Sequence, residues 1–325
     1  MKNLERKIIY GVLCGAAVYA VVAIYADVSA LTGALAGYAW WTFAAAIGLT
    51  CINYALRFAK WELFLRRIGV VVPMGRSALI FLAGFVMSIT PGKLGEVLKS
   101  FLLRQSDGVP AAQTAPVVLA ERITDLLALI VLAATGVGTY QYGAVALVVT
   151  SAVLVAGIVF ASLPGVVRPL LKLGEKVPVV SKVVPMLTEA YESTRRLLSP
   201  ALLLATTALS VLSWGMEALA FVLIVRGFEG TGVPIDIDMA GGTFAYAITT
   251  IIGAVSFLPG GLGVTEAGMI TVLQTFGMVG DEAVASAATI LTRLATLWWA
   301  VVCGVVAFFI FQRFVPKDYK PQTEP

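Results

Sequence analysis

Several uncharged stretches of about 20 residues constrain this chain most, because each is long enough to cross the roughly 30 Å hydrocarbon core of a bilayer as a helix. Backbone in lipid must satisfy its own peptide hydrogen bonds, and a helix does so within one segment. The composition agrees, since 59% of the residues are apolar and 13% are charged, against roughly 25% charged in soluble domains. The sequence therefore predicts an all-α integral membrane protein, a polytopic helical bundle that forms one domain over residues 1–325.

Residue usage excludes several kinds of chemistry. The chain has no His, which excludes His-based metal sites and Ser-His-Asp triads. It contains no GxGxxG and no phosphate loop, so a nucleotide site is not expected. Cys14, Cys51 and Cys303 stand apart in apolar segments and form no CxxC, so redox chemistry is not expected either. We therefore expect no cofactor, no metal site, no nucleic-acid partner and no enzymatic activity.

The long apolar runs predict six full membrane spans. They cover approximately residues 8–26, 38–58, 114–140, 142–163, 200–225 and 283–312. The first run follows a basic start and is interpreted as an uncleaved span, although the small residues at 28–30 leave cleavage of a signal peptide open. The mixed, basic segment 164–199 has the spacing of an amphipathic helix and is predicted to be a cytoplasmic linker at the membrane surface.

Two further apolar segments are broken at a Pro-Gly pair. Residues 77–90 stop at PGKLGE (91–96), and residues 240–258 stop at PGGLG (259–263). Pro lacks an amide hydrogen and Gly tolerates unusual backbone angles, so each motif ends one half-helix and starts another. If both segments re-enter instead of crossing, every basic loop faces the cytoplasm and only Arg226 lies outside. We therefore predict two re-entrant hairpins, with both termini cytoplasmic, in the plasma membrane.

The two broken segments predict an internal repeat of opposite orientation. Both read SxxPGxLG, and each precedes a long span with an intramembrane arginine, Arg122 lying 31 residues after Pro91 and Arg293 lying 34 after Pro259. The halves lie around 77–140 and 240–312, and paired interrupted helices of this kind are typical of a transporter's substrate site. The half-helix after each break offers amides and a positive dipole end to an anion. The alternative is a kink that packs against its neighbours.

Charged residues inside the spans complete the candidate site. An ionised side chain at the centre of a span costs about 2.5 to 3.5 kcal/mol, so it faces a cavity, pairs with an opposite charge, or both. We expect Arg122 to meet Glu96 or Glu217, and Glu217, Glu266 and Arg293 to form an outer cluster; structural ion pairs are the alternative. The predicted substrate-binding and transport residues are Pro91, Gly92, Lys93, Gly95, Glu96, Glu121, Arg122, Asp125, Glu217, Pro259, Gly260, Gly261, Gly263, Glu266 and Arg293.

Four motifs, in this order, carry a resemblance to a known family. They are Asn53-x-x-x-Arg57-x-x-x-Trp61, PGKLGEVLKSFLLR, AERITDLLAL and FLPGGLGVTEAG. Together they resemble the lysylphosphatidylglycerol synthase transmembrane-region family, also called flippase-like membrane proteins. In multidomain members this region precedes a soluble aminoacyl-transferase domain and is associated with moving aminoacylated phosphatidylglycerol between leaflets. The resemblance implies the membrane region without that transferase domain, so lipid synthesis is not expected here.

The resemblance implies a lipid translocator. It would move a phospholipid or other anionic or aminoacylated head group between leaflets through a polar cavity at the midplane. Its partners would be membrane lipids, either phospholipids or polyprenyl-linked lipids, and a homo-oligomer is left open. Two alternatives stay open, namely a non-transporting envelope protein for lipid binding or assembly, and an intramembrane enzyme that modifies a lipid.

Overall fold

The described part of this computed structural model is helical, and it covers residues 28–89, 97–136, 169, 173 and 184–314. The predicted spans at 8–26 and 142–163 and the first Pro-Gly motif lie outside the described residues. Eleven α-helices lie in the described ranges. They are α1 (Val28–Ala36), α2 (Trp40–Arg67), α3 (Met74–Ala83), α4 (Val97–Asp107), α5 (Ala111–Ala133), α6 (Val184–Leu197), α7 (Pro200–Arg226), α8 (Met239–Val255), α9 (Val264–Thr275), α10 (Glu282–Arg293) and α11 (Trp299–Phe314).

Three of the described segments are long and apolar enough to cross a membrane. These are Trp40–Arg67, Pro200–Thr231 and Glu282–Phe314. Helix α5 has 23 residues, about 35 Å at 1.5 Å per residue, but it carries three charged residues in its middle. The predicted class, an all-α membrane protein, is confirmed, while the number of full spans stays a prediction.

Helices α2 and α7 form a closely packed antiparallel pair. The Ala39 amide donates to the Gly227 carbonyl at 2.9 Å, and Asn53 Nδ2 donates to the Ser213 carbonyl at 2.8 Å. The first bond joins the beginning of α2 to the end of α7. The bundle therefore has two ends, called here the Trp40 face, which also contains Arg226, and the Arg67 face, which also contains Pro200.

The first hairpin consists of α3, a 3₁₀ turn at Gly84–Ile89, and α4. Arg76 Nη1 lies 2.5 Å from Asp107 Oδ1, so the beginning of α3 and the end of α4 lie side by side. Gln113, near the beginning of α5, donates to the Ile68 carbonyl at 3.0 Å, just beyond the end of α2. The first hairpin therefore begins and ends at the Arg67 face.

The second hairpin consists of α8, a 3₁₀ turn at Pro259–Gly261, and α9. The Asp236 amide donates to the Met278 carbonyl at 3.0 Å, which joins the segment before α8 to the segment after α9. Arg226 Nη2, at the end of α7, donates to the Ile237 carbonyl at 3.0 Å. The second hairpin therefore begins and ends at the Trp40 face, opposite to the first.

The 3₁₀ turns of the two hairpins are in contact inside the bundle, where Gly84–Ile89 touches Pro259–Gly261. In the second break Gly260, Gly261 and Gly263 have φ of 62°, 68° and 84°, which L side chains rarely adopt. The PGGLG sequence thus supplies glycine where the backbone requires it.

One long helical segment near the carboxyl end contacts both hairpins. It consists of α10, a π-helical turn at Leu294–Trp298, and α11. Helix α10 packs against α9, whereas α11 packs against α3 and the turn Gly84–Ile89. At Gly304 of α11 a Cβ would lie 2.5 Å from the Val86 amide nitrogen, so the absent side chain permits this contact.

Helix α6 lies in the segment that the sequence assigned to an amphipathic linker. It packs against α5, burying Tyr191 and Leu197, while Arg195 and Arg196 are exposed. The amphipathic character follows from that division, and the position at a cytoplasmic membrane surface stays a prediction.

Candidate functional site

A buried group of charges lies between α2, α4, α5 and α7, next to the first hairpin's turn. We call it the lysine cluster and define it as Arg57, Lys60, Lys99, Glu121 and Asp125. Lys99 Nζ lies 2.5 Å from Glu121 Oε2, and Lys60 Nζ lies 2.5 Å from Asp125 Oδ1. Both lysines and both carboxylates are almost fully buried. Each lysine therefore compensates one carboxylate, as burial of charge requires.

Neutral side chains complete the surroundings of the two lysines. Lys60 donates to Ser210 Oγ at 2.7 Å, and Ser210 donates to Asp125 Oδ1 at 3.1 Å. Lys99 Nζ lies 4.5 Å from the centroid of the Trp61 ring and 5.3 Å from that of Phe81. Cation–π attraction offsets part of the cost of removing the ammonium from water.

Arg57 is the less tightly paired cation of the lysine cluster. Its Nη2 lies 3.7 Å from Asp125 Oδ2, and its side chain is 11% exposed. Its guanidinium carbon lies 5.5 Å from the Phe85 ring centroid and 5.6 Å from that of Trp214. Arg57 thus stands between the first hairpin's turn and α7.

Three members of the lysine cluster, Arg57, Lys60 and Lys99, were not among the predicted site residues. The second span was predicted to end at about residue 58, with Lys60 in a cytoplasmic loop behind it, whereas α2 continues to Arg67. That boundary was wrong because a hydropathy rule ends a span at its first cations, while here Asp125 compensates Lys60 inside the bundle. The spacing of Asn53, Arg57 and Lys60 on one helical face was the signal available.

The second half contains a smaller charged site around its own break. Arg293 Nε lies 2.7 Å from Glu266 Oε1. Arg293 Nη2 also donates to the Gly260 carbonyl at 2.6 Å, and the Gly263 amide donates to Glu266 Oε2 at 2.7 Å. The pair therefore satisfies one carbonyl and one amide that the interrupted helix leaves without an intrahelical partner.

This geometry changes the prediction about the half-helix after the second break. That end was expected to offer its amides to an anionic ligand, but the Gly263 amide is bonded to the Glu266 carboxylate. Glu266, three residues into the helix, can reach back to this amide because the first turn of a helix has no internal acceptors for its amides.

The remaining predicted residues are distributed as follows. Glu217 accepts a short hydrogen bond from the Tyr246 hydroxyl, while Glu266 and Arg293 pair with each other directly. Arg122 is partly buried on α5 and is attracted by Asp125. Pro91, Gly92, Lys93, Gly95 and Glu96 lie outside the described residues. No cluster of three or more potential metal ligands occurs within the described ranges.

A chain of contacts joins the lysine cluster to the second site. The Tyr54 ring lies 4.7 Å from the Phe85 ring, which Arg57 also contacts. The Tyr54 hydroxyl donates to the Thr296 carbonyl at 3.0 Å, in the π-helical turn that follows Arg293. The two charged sites are therefore linked through Phe85 and Tyr54 beside the contact of the two 3₁₀ turns, and we call the two sites together the polar region.

Buried ion pairs lie beside two hairpins in a helical bundle in which three described segments are long and apolar enough to cross a membrane, and these features define the class as a polytopic helical membrane protein. The model of the lysylphosphatidylglycerol synthase transmembrane region matches residues 8–304. The chain belongs to this family, which confirms the resemblance drawn from the four motifs.

Two archaeal proteins show sequence similarity to the chain. A UPF0104 membrane protein of Methanocaldococcus jannaschii is 23% identical over 236 residues, which cover 73% of this chain and 98% of the relative. A UPF0104 membrane protein of Methanothermobacter thermautotrophicus is 31% identical over 123 residues, which cover 37% of this chain and 34% of the relative. Both are described as membrane proteins, in agreement with the fold.

Proposed function

We propose that this protein is a lipid translocator. It moves the head group of a phospholipid, or of another anionic or aminoacylated lipid, between leaflets through the polar region, while the acyl chains stay in the bilayer. The observation that carries the proposal is the contact between the turns of two hairpins that open at opposite faces, with buried charges beside both turns.

The arrangement of the two hairpins supports an inverted-topology repeat. Each half has a short apolar helix, a break, a second short helix and then a longer helical segment. One hairpin has its ends at the Arg67 face and the other at the Trp40 face. Transporters with inverted repeats bind substrate where interrupted helices meet near the midplane, since irregular backbone is tolerated there beside a cavity.

The family membership supports lipid as the substrate class. The family is described by the membrane region of a protein that makes lysylphosphatidylglycerol. We propose transport without catalysis, because the polar region contains paired charges and hydroxyls and the chain has no His. Transport would then be passive, ion-coupled or driven by removal of the product.

The basic residues support an orientation with the Arg67 face in the cytoplasm. Arg66, Arg67 and Arg76 lie at this face, as does the end of α6 with its exposed Arg195 and Arg196. By the positive-inside rule we propose a plasma-membrane location with both termini cytoplasmic. In a cysteine-free background, Asp107→Cys should react only from the cytoplasmic side and Glu282→Cys only from outside. Reaction of both from one side would contradict this topology.

The translocation test uses purified protein in liposomes with head-group-labelled phosphatidylglycerol, aminoacylated phosphatidylglycerol and a polyprenyl phosphate. A membrane-impermeant quencher reports how much labelled lipid reaches the other leaflet. We expect fast movement with the wild type and none with Glu266→Gln, because the neutral amide no longer compensates Arg293. The exposed Glu282→Gln, on α10, is the matched control and should move lipid normally. Full activity of a folded Glu266→Gln protein would refute the assigned role of Glu266.

One observation favours a non-transporting role as the second candidate. Glu121, Asp125 and Glu266 each lie within 2.7 Å of a cation of this chain, as expected if the pairs serve only to hold helices together. A binding or assembly protein should tolerate simultaneous Arg122→Gln and Arg293→Gln exchanges if the fold survives. A translocator should lose movement of every lipid tested.

A further inference from the structure

Four polar atoms on neighbouring side chains beside the first hairpin have no hydrogen-bond partner among the described residues. Two are donors, Arg57 Nε and Trp214 Nε1, and two are acceptors, Asn53 Oδ1 and Asp125 Oδ2. Each of these atoms is buried. Leaving a buried donor or acceptor unpaired costs about 1 to 3 kcal/mol, so four in one place require an explanation.

The four side chains are neighbours. Arg57 lies 5.6 Å from the Trp214 ring centroid and 3.7 Å from Asp125 Oδ2. Asn53 lies one helical turn before Arg57 and donates to the carbonyl of Ser213, the residue before Trp214. The unpaired atoms therefore border one small region between α2, α5 and α7.

The lysine cluster contains three cations and two carboxylates. The two lysines of the cluster each take one carboxylate at 2.5 Å. Arg57 shares Asp125 from a greater distance, and Glu217 adds a further attraction across the region. Arg57 can still donate hydrogen bonds to a further acceptor, because a guanidinium has five N–H donors and can bond two acceptors at once.

We propose that Arg57 and Trp214 form a subsite for a phosphate oxygen of a phosphodiester lipid, and that Asn53 and Asp125 accept hydrogen bonds from a hydroxyl or ammonium group on the same head group. The proposal rests on the function proposed above and assigns the head-group contact to residues of α2 and α7. A phosphate diester has the acceptors that the two donors lack, and its negative charge balances Arg57. An adjoining hydroxyl or ammonium supplies the donors that the two acceptors lack.

The test is a binding measurement in detergent, which does not depend on transport. Dioctanoyl phosphatidylglycerol has the phosphate and the hydroxyls, and dioctanoylglycerol lacks the phosphate. The variants are Arg57→Gln, Arg57→Lys and Trp214→Phe, the last of which removes one N–H donor and keeps an aromatic ring. Two exposed residues of α2 supply the controls. Arg66→Gln controls for loss of a charge, and Trp41→Phe controls for loss of an indole N–H.

We expect the wild type to bind the phosphatidylglycerol and not the neutral lipid. Arg57→Gln should weaken binding about 10-fold to 100-fold and Trp214→Phe about 3-fold to 10-fold, as expected for loss of a charge-assisted and a neutral hydrogen bond. Arg57→Lys should fall between wild type and Arg57→Gln, and both controls should bind like wild type. If Arg57→Gln does not fold, Arg57→Lys and Trp214→Phe still decide the result.

Folded variants at Arg57 and Trp214 that bind like wild type would overturn the subsite, as would equal binding of the neutral lipid by the wild type. Competition with inorganic phosphate identifies the source of the anion. Displacement of the lipid at millimolar phosphate indicates a subsite open to free phosphate, and retention indicates one specific for lipid. Arg57-dependent binding without translocation would support the subsite and reject the proposed function. Translocation without Arg57-dependent binding would do the reverse.

Discussion

Two ion pairs each join the helix after a Pro-Gly motif to the helix that follows it, Lys99–Glu121 in the first half of the chain and Glu266–Arg293 in the second, and the cation and the carboxylate exchange places between the two pairs. Lys99 lies eight residues after Pro91 and Glu266 lies seven after Pro259, so both stand on the helix that follows the break. Their surroundings differ. Lys99 lies against the Trp61 and Phe81 rings, whereas Glu266 and Arg293 also bond the peptide groups of Gly263 and Gly260.

The two ion pairs therefore join their helices in different ways. In the first half the charges connect side chains, and the neighbouring Lys60, Asp125 and Arg57 extend them into a cluster. In the second half the ion pair consists of two charges, and both also bond peptide groups of the break, the Gly263 amide and the Gly260 carbonyl. The first half should therefore depend most on charge balance, and the second on the shape of its charged groups.

Removing Asp125 should have the largest effect. Asp125→Ala leaves Lys60 and Arg57 buried without their carboxylate, which should lower the free energy of unfolding by about 3 to 5 kcal/mol. Glu266→Ala leaves only Arg293 without its carboxylate, and Arg293 keeps its bond to the Gly260 carbonyl. The free energy of unfolding should therefore fall by less than for Asp125→Ala. Denaturant unfolding in detergent, followed by circular dichroism, measures both. A larger loss for Glu266→Ala would contradict the greater dependence of the first half on charge balance.

Exchanging the cations conservatively should affect the second half more. Arg293→Lys replaces the separate donors Nε and Nη2, which bond Glu266 and the Gly260 carbonyl, by a single ammonium nitrogen, and it should lower the free energy of unfolding by about 1.5 to 3 kcal/mol. Lys99→Arg keeps a cation that can lie against Trp61 and pair with Glu121, so it should lose less. The same unfolding measurement compares the two variants. Equal losses of unfolding free energy would contradict the claim that the second half depends more on the shape of its charged groups.

Alanine substitutions at two glycines beside the hairpin turns should show whether a backbone atom or a side-chain atom opposes the added methyl group. Gly304→Ala places a Cβ 2.5 Å from the Val86 amide nitrogen, and backbone there cannot rotate away, so we expect a loss of about 1 to 3 kcal/mol. Gly253→Ala places a Cβ 1.9 Å from Thr265 Oγ1, which is a side-chain atom. Thr265→Ala should therefore rescue Gly253→Ala in thermal unfolding. No such rescue would place the obstacle in the backbone.

The smallest effect is expected where the two ends of the first hairpin meet. Arg76 and Asp107 form a partly exposed ion pair, and Arg76→Gln should cost about 0.2 to 1 kcal/mol. The loss should shrink at high salt, because exposed charges are screened. The corresponding ends of the second hairpin are joined by backbone bonds, such as that from Gly280 to Pro234, so salt should leave them unaffected. Hydrogen exchange at low and high salt compares the two.

Much of the architecture could be predicted from the sequence because it depends on simple patterns. Apolar run length identified α2, α7 and the α10–α11 segment, and the Pro-Gly motif located the second break. Glu266 and Arg293 were expected to lie together in an outer cluster with Glu217, and these two residues do form an ion pair. These features follow from hydropathy and from backbone chemistry, which one sequence contains.

The lysine cluster could not be predicted in the same way because it depends on which helices become neighbours. Lys60 and Asp125 are 65 residues apart, and their contact arises only after α2, α5 and α7 pack together. A hydropathy profile counts each charge separately and excludes a lysine from a span, although a paired lysine is tolerated there. Lys99 was overlooked for the same reason, since its partner Glu121 lies on the next helix.

The π-helical turn at Leu294–Trp298 has a consequence for how one helical segment serves two hairpins. One extra residue within a helix advances the angular phase of everything after it by about 100°. Before the turn Arg293 faces Glu266 of the second hairpin, and after it Gly304 faces Val86 of the first. Deleting one residue of the turn would restore a regular helix and swing the Gly304 side about 100° away from Val86. The π-helical turn therefore lets one helical segment direct residues toward two different hairpins. The Tyr54 hydroxyl bonds the Thr296 carbonyl within this turn, where the change of direction occurs.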